Sequence, residues 1–216
     1  IAENEAGDVT PLSWSALRAQ VASLALELRR GATGPGDRVA ACLPNIPETI
    51  VAFLACASLG AIWSLCSPDM GSAAILDRFR QIEPKALLAV DAVRYAGRVS
   101  DRRAVLAELR AALPTAGLVV VVRSGLCEDT VAGTLDFASA AGRIDAEVGA
   151  FEPEWLPFDH PLWILYSSGT TGLPKAIVQG HGGIILSAHV GAKHNDLGPS
   201  YVANSLGERF HWYSST

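Results

Sequence analysis

The chain has 216 residues, half of them hydrophobic, and a formal net charge of −5, which allows one large domain or two small ones and gives no global basic field for nucleic acid or an anionic membrane. Four widely spaced cysteines without a C-x-x-C pair point to a reduced, cytoplasmic setting rather than a disulfide framework. No apolar run reaches the roughly 18 residues of a membrane span, no signal peptide is visible, and the start at Ile1 without a methionine reads as a piece of a longer protein.

Leu17, Val21, Leu24 and Leu28 recur at helical spacing, so Pro11–Arg30 is predicted as an amphipathic helix stopped by Gly31. A turn at Gly34–Asp37 leads to a buried strand over Arg38–Leu43. A rigid Pro-rich connection then opens a helix over Glu48–Leu59, closed by Gly60. Ala61–Cys66 is the next strand, and Ser67–Asp69 leads into a helix that runs through Gln81. A strand over Ala86–Asp91, a helix over Asp101–Leu113 and the very apolar strand Leu118–Val122 follow. Gly142–Pro157 is weakly patterned and reads as a surface loop. Helices alternating with continuous, β-branched apolar strands specify the α/β class, a layered and mostly parallel sheet flanked by helices.

The stretch with the strongest chemical content is Tyr166–Lys175, YSSGTTGLPK. It follows the short apolar strand Pro161–Leu165, and Ser167 to Gly172 are all Ser, Gly or Thr. Glycines let backbone N–H groups turn toward one point, hydroxyls add donors, and Lys175 supplies a compact cation behind the rigid Pro174. Such a concavity suits phosphate oxygens. Walker A loops need G-x-x-x-x-G-K-[ST] opening a helix, whereas Lys175 here precedes the β-branched AIVQG, a second strand. The cradle is therefore the tip of a hairpin. A bare Ser/Gly cluster is also compatible with a plain flexible turn. A helix over Gly183–Lys193, a polar loop over Asn195–Gly207 and a last strand over Phe210–Ser215 complete the reading.

The full ten-residue string resembles the phosphate-binding motif of adenylate-forming enzymes, the superfamily of acyl-CoA synthetases, luciferases and peptide-synthetase adenylation domains. GDRVAACLPNIPETIVAFLACASLGAIWSLCSPD and DRFRQIEPKALLAVD followed by RYAGR resemble the short-chain acyl-CoA synthetases. DHPLWILYSSGTTGLPKAIV, then HGG and HNDLGP, resembles their acetoacetate-activating members; Ser167 and Ala176 stand where acetate-activating relatives tend to carry Thr and Gly. The resemblance runs from about Ser13 to Ser215. It makes the chain an incomplete N-terminal adenylation domain. Residues 1–157 form its alternating helix and strand part, 158–216 carry the phosphate-loop hairpin, a helix and the start of an acyl-pocket strand, and the C-terminal lid is absent.

The resemblance implies a two-step ligase: acetoacetate and ATP give an acyl-adenylate and pyrophosphate, and CoA then takes the acyl group and releases AMP. Ser167, Ser168, Gly169, Thr170, Thr171, Gly172 and Lys175 would hold the ATP phosphates, with Lys175 countering leaving-group charge, and Mg²⁺ accompanies such triphosphate chemistry. Arg94 and Arg98, flanking the YAG turn, would meet the CoA phosphates, though from the residues alone a solvated face is the commoner reading of such arginines. His181 is a candidate for the acyl pocket or a helix cap. Trp212 and Tyr213 are candidates for the acyl site or for core. Gln179 stands where relatives often have His, and Ser200–Arg209 is longer than the expected turn. The downstream adenine, ribose and lid segments are missing, so the piece alone is expected to be inactive. Three alternatives stay open: a synthetase for acetate, propionate or butyrate; a non-catalytic nucleotide-binding module; and, more distantly, a P-loop phosphotransferase.

Overall fold

A computed structural model describes residues 2–3, 9–129, 131–167 and 172–194. A short antiparallel pair, β1 (Ala2–Glu3) and β2 (Val9–Thr10), precedes α1 (Trp14–Arg30). The helix begins three residues later than its apolar spacing predicts, because Ser13 stays extended and its Oγ accepts the Ala16 N–H at 3.1 Å. Then come β3 (Arg38–Cys42), α2 (Pro47–Ser58, with Pro47 at its first position), β4 (Ile62–Cys66) and α3 (Ser72–Phe79). The predicted helix from Asp69 to Gln81 is thus shorter at both ends: Gly71 is extended, and Arg80 is the C-terminal cap.

β5 (Ala86–Val90) is followed by a two-stranded hairpin, β6 (Ala92–Tyr95) and β7 (Arg98–Asp101), where only a small turn was predicted. Its two-residue loop has Ala96 at φ 50° and Gly97 at φ 75°, the twin positive angles that match the twist of a tight hairpin. α4 (Arg103–Ala112) and β8 (Leu118–Val122) follow as expected, and β9 (Leu135–Asp136) and α5 (Phe137–Ala141) fill a stretch left unassigned from the sequence. The loop predicted over Gly142–Pro157 contains α6 (Ala146–Gly149), capped by Asp145 Oδ1 accepting the Val148 N–H at 3.0 Å. β10 (Pro161–Ser167), β11 (Lys175–Gly180) and α7 (His181–His194) complete the described chain. The predicted loop at 195–207, the strand at 210–215 with Trp212 and Tyr213, and the long 200–209 segment lie outside the described residues.

The main sheet has seven strands in the order β11-β10-β4-β3-β5-β8-β9, parallel throughout except for the antiparallel β10–β11 pair. α1, α2, α5 and α6 cover one face, where Leu24, Leu28, Val51 and Leu88 are fully buried. α3 and α4 cover the other with Ile75, Phe79, Leu106 and Leu109. Each such side chain is worth roughly 1.5–3 kcal/mol of burial, and the two covered faces explain why the central strands read as unbroken apolar runs. Ser23, at 0% exposure on α1, ties the first layer together: its Oγ–H donates to Ala140 O at 2.6 Å and its Oγ accepts the Arg143 N–H at 3.1 Å. β11 is the outermost strand, and its Ile177 and Val178 are 46% and 57% exposed. Ile185 on α7 is 65% exposed. Among the described residues no helix is long and apolar enough to cross a membrane.

Candidate functional site

The parallel strands all end on one edge of the sheet, the edge where open α/β sheets collect ligands. β10 ends there at Ser167, and β11 starts there at Lys175, its direct register partner. The hairpin with Lys175 at its mouth is therefore present as the sequence predicted. Ser168, Gly169, Thr170 and Thr171 lie outside the described residues. Gly172 has φ 91° with nothing near an added Cβ, so glycine is required there by backbone conformation, worth about 1–2 kcal/mol against any other residue.

Register sorts the hairpin's side chains. Trp163, Leu165 and Ser167 share a face with Gln179, Ile177 and Lys175; Ile164 and Tyr166 share the other with Val178 and Ala176. On the second face the Tyr166 Oη–H donates to Arg78 O at 2.8 Å, and the Arg78 guanidinium lies 5.9 Å from the ring centre. Burial pushes this phenol up to about 12, so it remains a neutral donor at physiological pH. Gln81 Nε2–H donates to Pro174 O at 3.0 Å. Both legs of the loop are thereby fastened to the C-terminal end of α3. Sequence reasoning did not single out either anchor; the alternation along β10 was the signal that Tyr166 turns toward the α3 layer.

On the first face Phe53, Trp63, Trp163 and Leu165 line an apolar cavity of about 80 Å³. The Trp163 indole N–H donates to Gln179 Oε1 at 2.5 Å, and Phe53 sits 5.7 Å from the Trp163 ring. The residue that departs from the family pattern thus serves as the acceptor for a neighbouring indole. Ser167 and Lys175 lie one side-chain step beyond Leu165, about 7 Å along the strand. A cation with the Ser167 hydroxyl as its register partner and an apolar wall therefore stand side by side, an arrangement suited to an anion joined to a small organic group.

Arg94 and Arg98 sit on the β6–β7 hairpin, which leaves the same edge at the end of β5. Two strands, β4 and β3, separate β5 from β10, which is three strand spacings or about 14 Å. Arg94 pairs with Val99 and Arg98 with Tyr95, so the two guanidiniums emerge on opposite faces of the hairpin instead of side by side. Arg98 is on the side of Val93, which packs into the α1/α2 core. Both are exposed, and among the described residues neither has an ion-pair partner, whereas Arg103 is held by Asp101 at 2.7 Å and Asp129 at 3.2 Å.

His181 opens α7 at the far end of β11, about 17 Å along the strand from Lys175. Its N–H donates to His160 O, its ring lies 5.8 Å from that of His160, and burial together with the His160 charge lowers its pKa. It is remote from the loop. Cys42 and Cys66 are buried register partners whose thiols burial raises to about 12; Cys56 is raised further by burial, and Cys127 is also raised. Cys42, Cys56 and Cys66 are buried packing groups, whereas Cys127 is only partly buried.

A family model described as "AMP-binding enzyme" matches residues 3–215. The chain is 46% identical over 180 residues to the acetoacetyl-coenzyme A synthetase of Rhizobium meliloti, covering 81% of this chain and 27% of that protein. It is 40% identical over 186 residues to the acetoacetyl-CoA synthetase of Xenopus tropicalis, covering 83% and 28%. A malonamoyl-CoA synthetase of Penicillium aethiopicum is 35% identical over 235 residues, covering 100% and 31%. Among solved structures, the acetoacetyl-CoA synthetase from Streptomyces lividans superimposes with a TM-score of 0.82 at 49% identity, covering 89% of this chain and 29% of that one. The chain thus spans under a third of the length of these relatives.

Proposed function

Because the chain belongs to the AMP-binding enzyme family, we propose that it is the N-terminal part of an adenylating domain whose full-length protein joins acetoacetate to CoA. The observation that carries this reading is the hairpin at the carboxyl edge of the parallel sheet, with Lys175 opposite Ser167 at the mouth of a Ser/Gly/Thr loop. A carboxylate oxygen of acetoacetate attacks the α-phosphorus of ATP; the bond to the β-phosphate oxygen breaks and pyrophosphate leaves. The CoA thiol, losing its proton, then attacks the acyl carbonyl and expels AMP. Ser167, Ser168, Thr170 and Thr171 are assigned to donate hydrogen bonds to the β- and γ-phosphates, Gly169 and Gly172 to let the backbone approach, and Lys175 to balance charge on the departing pyrophosphate. The exposed arginines Arg94 and Arg98 are assigned to the CoA phosphates, Arg98 foremost because of its side of the hairpin. Mg²⁺ goes with ATP in such chemistry, but among the described residues no group of three or more His, Cys, Asp or Glu is placed to hold a metal ion, and no step here runs through it. The reading includes a cytoplasmic setting, in keeping with free cysteines.

The acid is assigned from the relatives. Acetoacetyl and malonamoyl groups, the two named in their products, both carry a carbonyl β to the activated carboxyl. A short β-carbonyl acid is thus the substrate class, with acetoacetate first. The test is acid-dependent exchange of labelled pyrophosphate into ATP by the full-length protein, comparing acetoacetate, malonamate, acetate, propionate and butyrate, with Lys175→Ala alongside. Exchange should be driven best by acetoacetate and should fall by roughly 10²–10³-fold in the variant, the loss typical of one transition-state charge partner. A preference for acetate, propionate or butyrate would overturn the substrate; no exchange with any acid would overturn the ligase.

A further inference from the structure

The residue that closes the base of the arginine hairpin has no assigned part in the chemistry above. Arg102 lies between β7 and α4, and its backbone N–H donates to Asp91 O at 2.8 Å, one step beyond the last hairpin pair, Ala92 with Asp101. Its Nη2–H crosses to Met70 O at 2.6 Å, in the segment that follows β4. Since β3 lies between β4 and β5, the side chain spans the end of β3, and its charge is felt by the Cys42 thiol there. Asp91, 2% exposed, completes the junction: its Oδ1 accepts the Ser124 N–H at 2.8 Å from the segment after β8. Three exits of the carboxyl edge therefore meet on two residues. Asp91 Oδ2 and Arg102 Nε are buried without partners among the described residues, a charged donor and acceptor held at the hairpin's root.

We propose that Arg102 is the positioning residue for the arginine hairpin, fixing the direction in which Arg98 and Arg94 present their guanidiniums to the phosphates of CoA; this rests on the ligase reading above. A two-stranded hairpin is marginally stable by itself in water, and this one makes its own separate two-stranded sheet. Its root is fixed by the burial of Ala92 and Val93, by the Asp91–Arg102 closure and by the strut to Met70. The strut acts on the CoA-dependent step alone, because the phosphate-loop hairpin is anchored separately through Tyr166 and Gln81.

The test uses Arg102→Gln and Arg102→Lys in the full-length protein. Three quantities are measured: pyrophosphate exchange without CoA, thioester formation against CoA concentration, and the same with CoA lacking its 3′-phosphate. In Arg102→Gln the KM for CoA should rise about tenfold, as for a loosened positioning contact, with kcat and exchange held. The advantage of CoA over its dephosphorylated form should shrink toward unity. Arg102→Lys, which keeps a cation able to reach the Met70 carbonyl, should recover most of both. An unchanged KM and unchanged discrimination in both variants would overturn the proposal, as would equal losses in exchange and thioester formation, the mark of a merely structural role. If Arg102→Gln does not fold, Arg102→Lys decides: a smaller rise in the KM for CoA with exchange held supports the strut, and either no change or equal losses in both half-reactions refute it. Absence of exchange in the wild type would remove the ligase reading itself, and the proposal with it.

Discussion

Replacing Tyr166 with Phe removes one oxygen atom from the foot of the phosphate loop. The ring, its packing on the α3 layer and the Arg78 guanidinium over it all remain. What goes is the 2.8 Å bond to Arg78 O, which the raised phenol keeps in its donor form at ordinary pH. Net loss of one such bond costs about 1 kcal/mol, without a further penalty for an unmet acceptor, because Arg78 O still accepts the Gln81 N–H at 3.1 Å. A change of this size lowers the Tm of a domain of this length by about 2–4 °C per kcal/mol. Since Tyr166 and Lys175 are on opposite sheet faces, the activity effect is indirect, about three- to tenfold in pyrophosphate exchange, consistent with coupling energies of this order. Thermal unfolding and exchange at saturating and limiting ATP measure both. A loss as deep as that of Lys175→Ala would refute the face assignment, because it would put the phenol against substrate. An unchanged Tm would refute its role as an anchor.

Three further outcomes follow from the same structure. Ser23→Ala leaves Ala140 O and the Arg143 N–H without their buried partner and should cost about 2–4 kcal/mol, read from the urea midpoint. Ala96→Gly relieves a positive φ at the hairpin tip and should stabilise by roughly 0.5–1 kcal/mol, seen as a raised Tm; Ala96→Val should do the reverse. His181 has its native pKa depressed by burial and by His160, so the unfolded chain takes its proton first. The stability it supports is complete above its ordinary value of 6.5 and declines as pH falls below it; urea midpoints between pH 7.5 and 5.5 should fall less steeply in His181→Gln.

The central strands were legible because burial on both faces leaves a simple trace, as in LVVVV at Leu118–Val122. The phosphate-loop hairpin was legible because Ser, Gly and Thr between two apolar runs leave little else to fold into. α5 and α6 were not, since helices of five and four residues carry no period of their own. What ties down α5 is Ser23, more than a hundred residues away in sequence. The geometry of the arginine pair was hidden for a different reason. The sequence shows only that they flank a turn, whereas an Ala-Gly two-residue loop fixes the register so that Arg94 and Arg98 point apart. Ala at a positive φ gives no sequence signal of the kind Asn or Gly does. Tyr166 and Gln81 escaped notice because an anchor is defined by its partner, and Arg78 O and Pro174 O are backbone atoms that leave no mark in composition.

The position of β10 in the sheet has a bearing on the order of assembly. The parallel strands β3, β4, β5 and β8 all arise within residues 38–122, and β10 joins β4 only from residue 161 onward. The contact that seals this join, Ser64 Oγ–H to Ile164 O, bridges 100 residues; closing a loop of that length costs about 4 kcal/mol in chain entropy. The β10–β11 ribbon, by contrast, is local and can zip on the microsecond scale. During synthesis the scaffold therefore emerges with β4 as a waiting edge, and the β10–β11 ribbon docks on it afterwards.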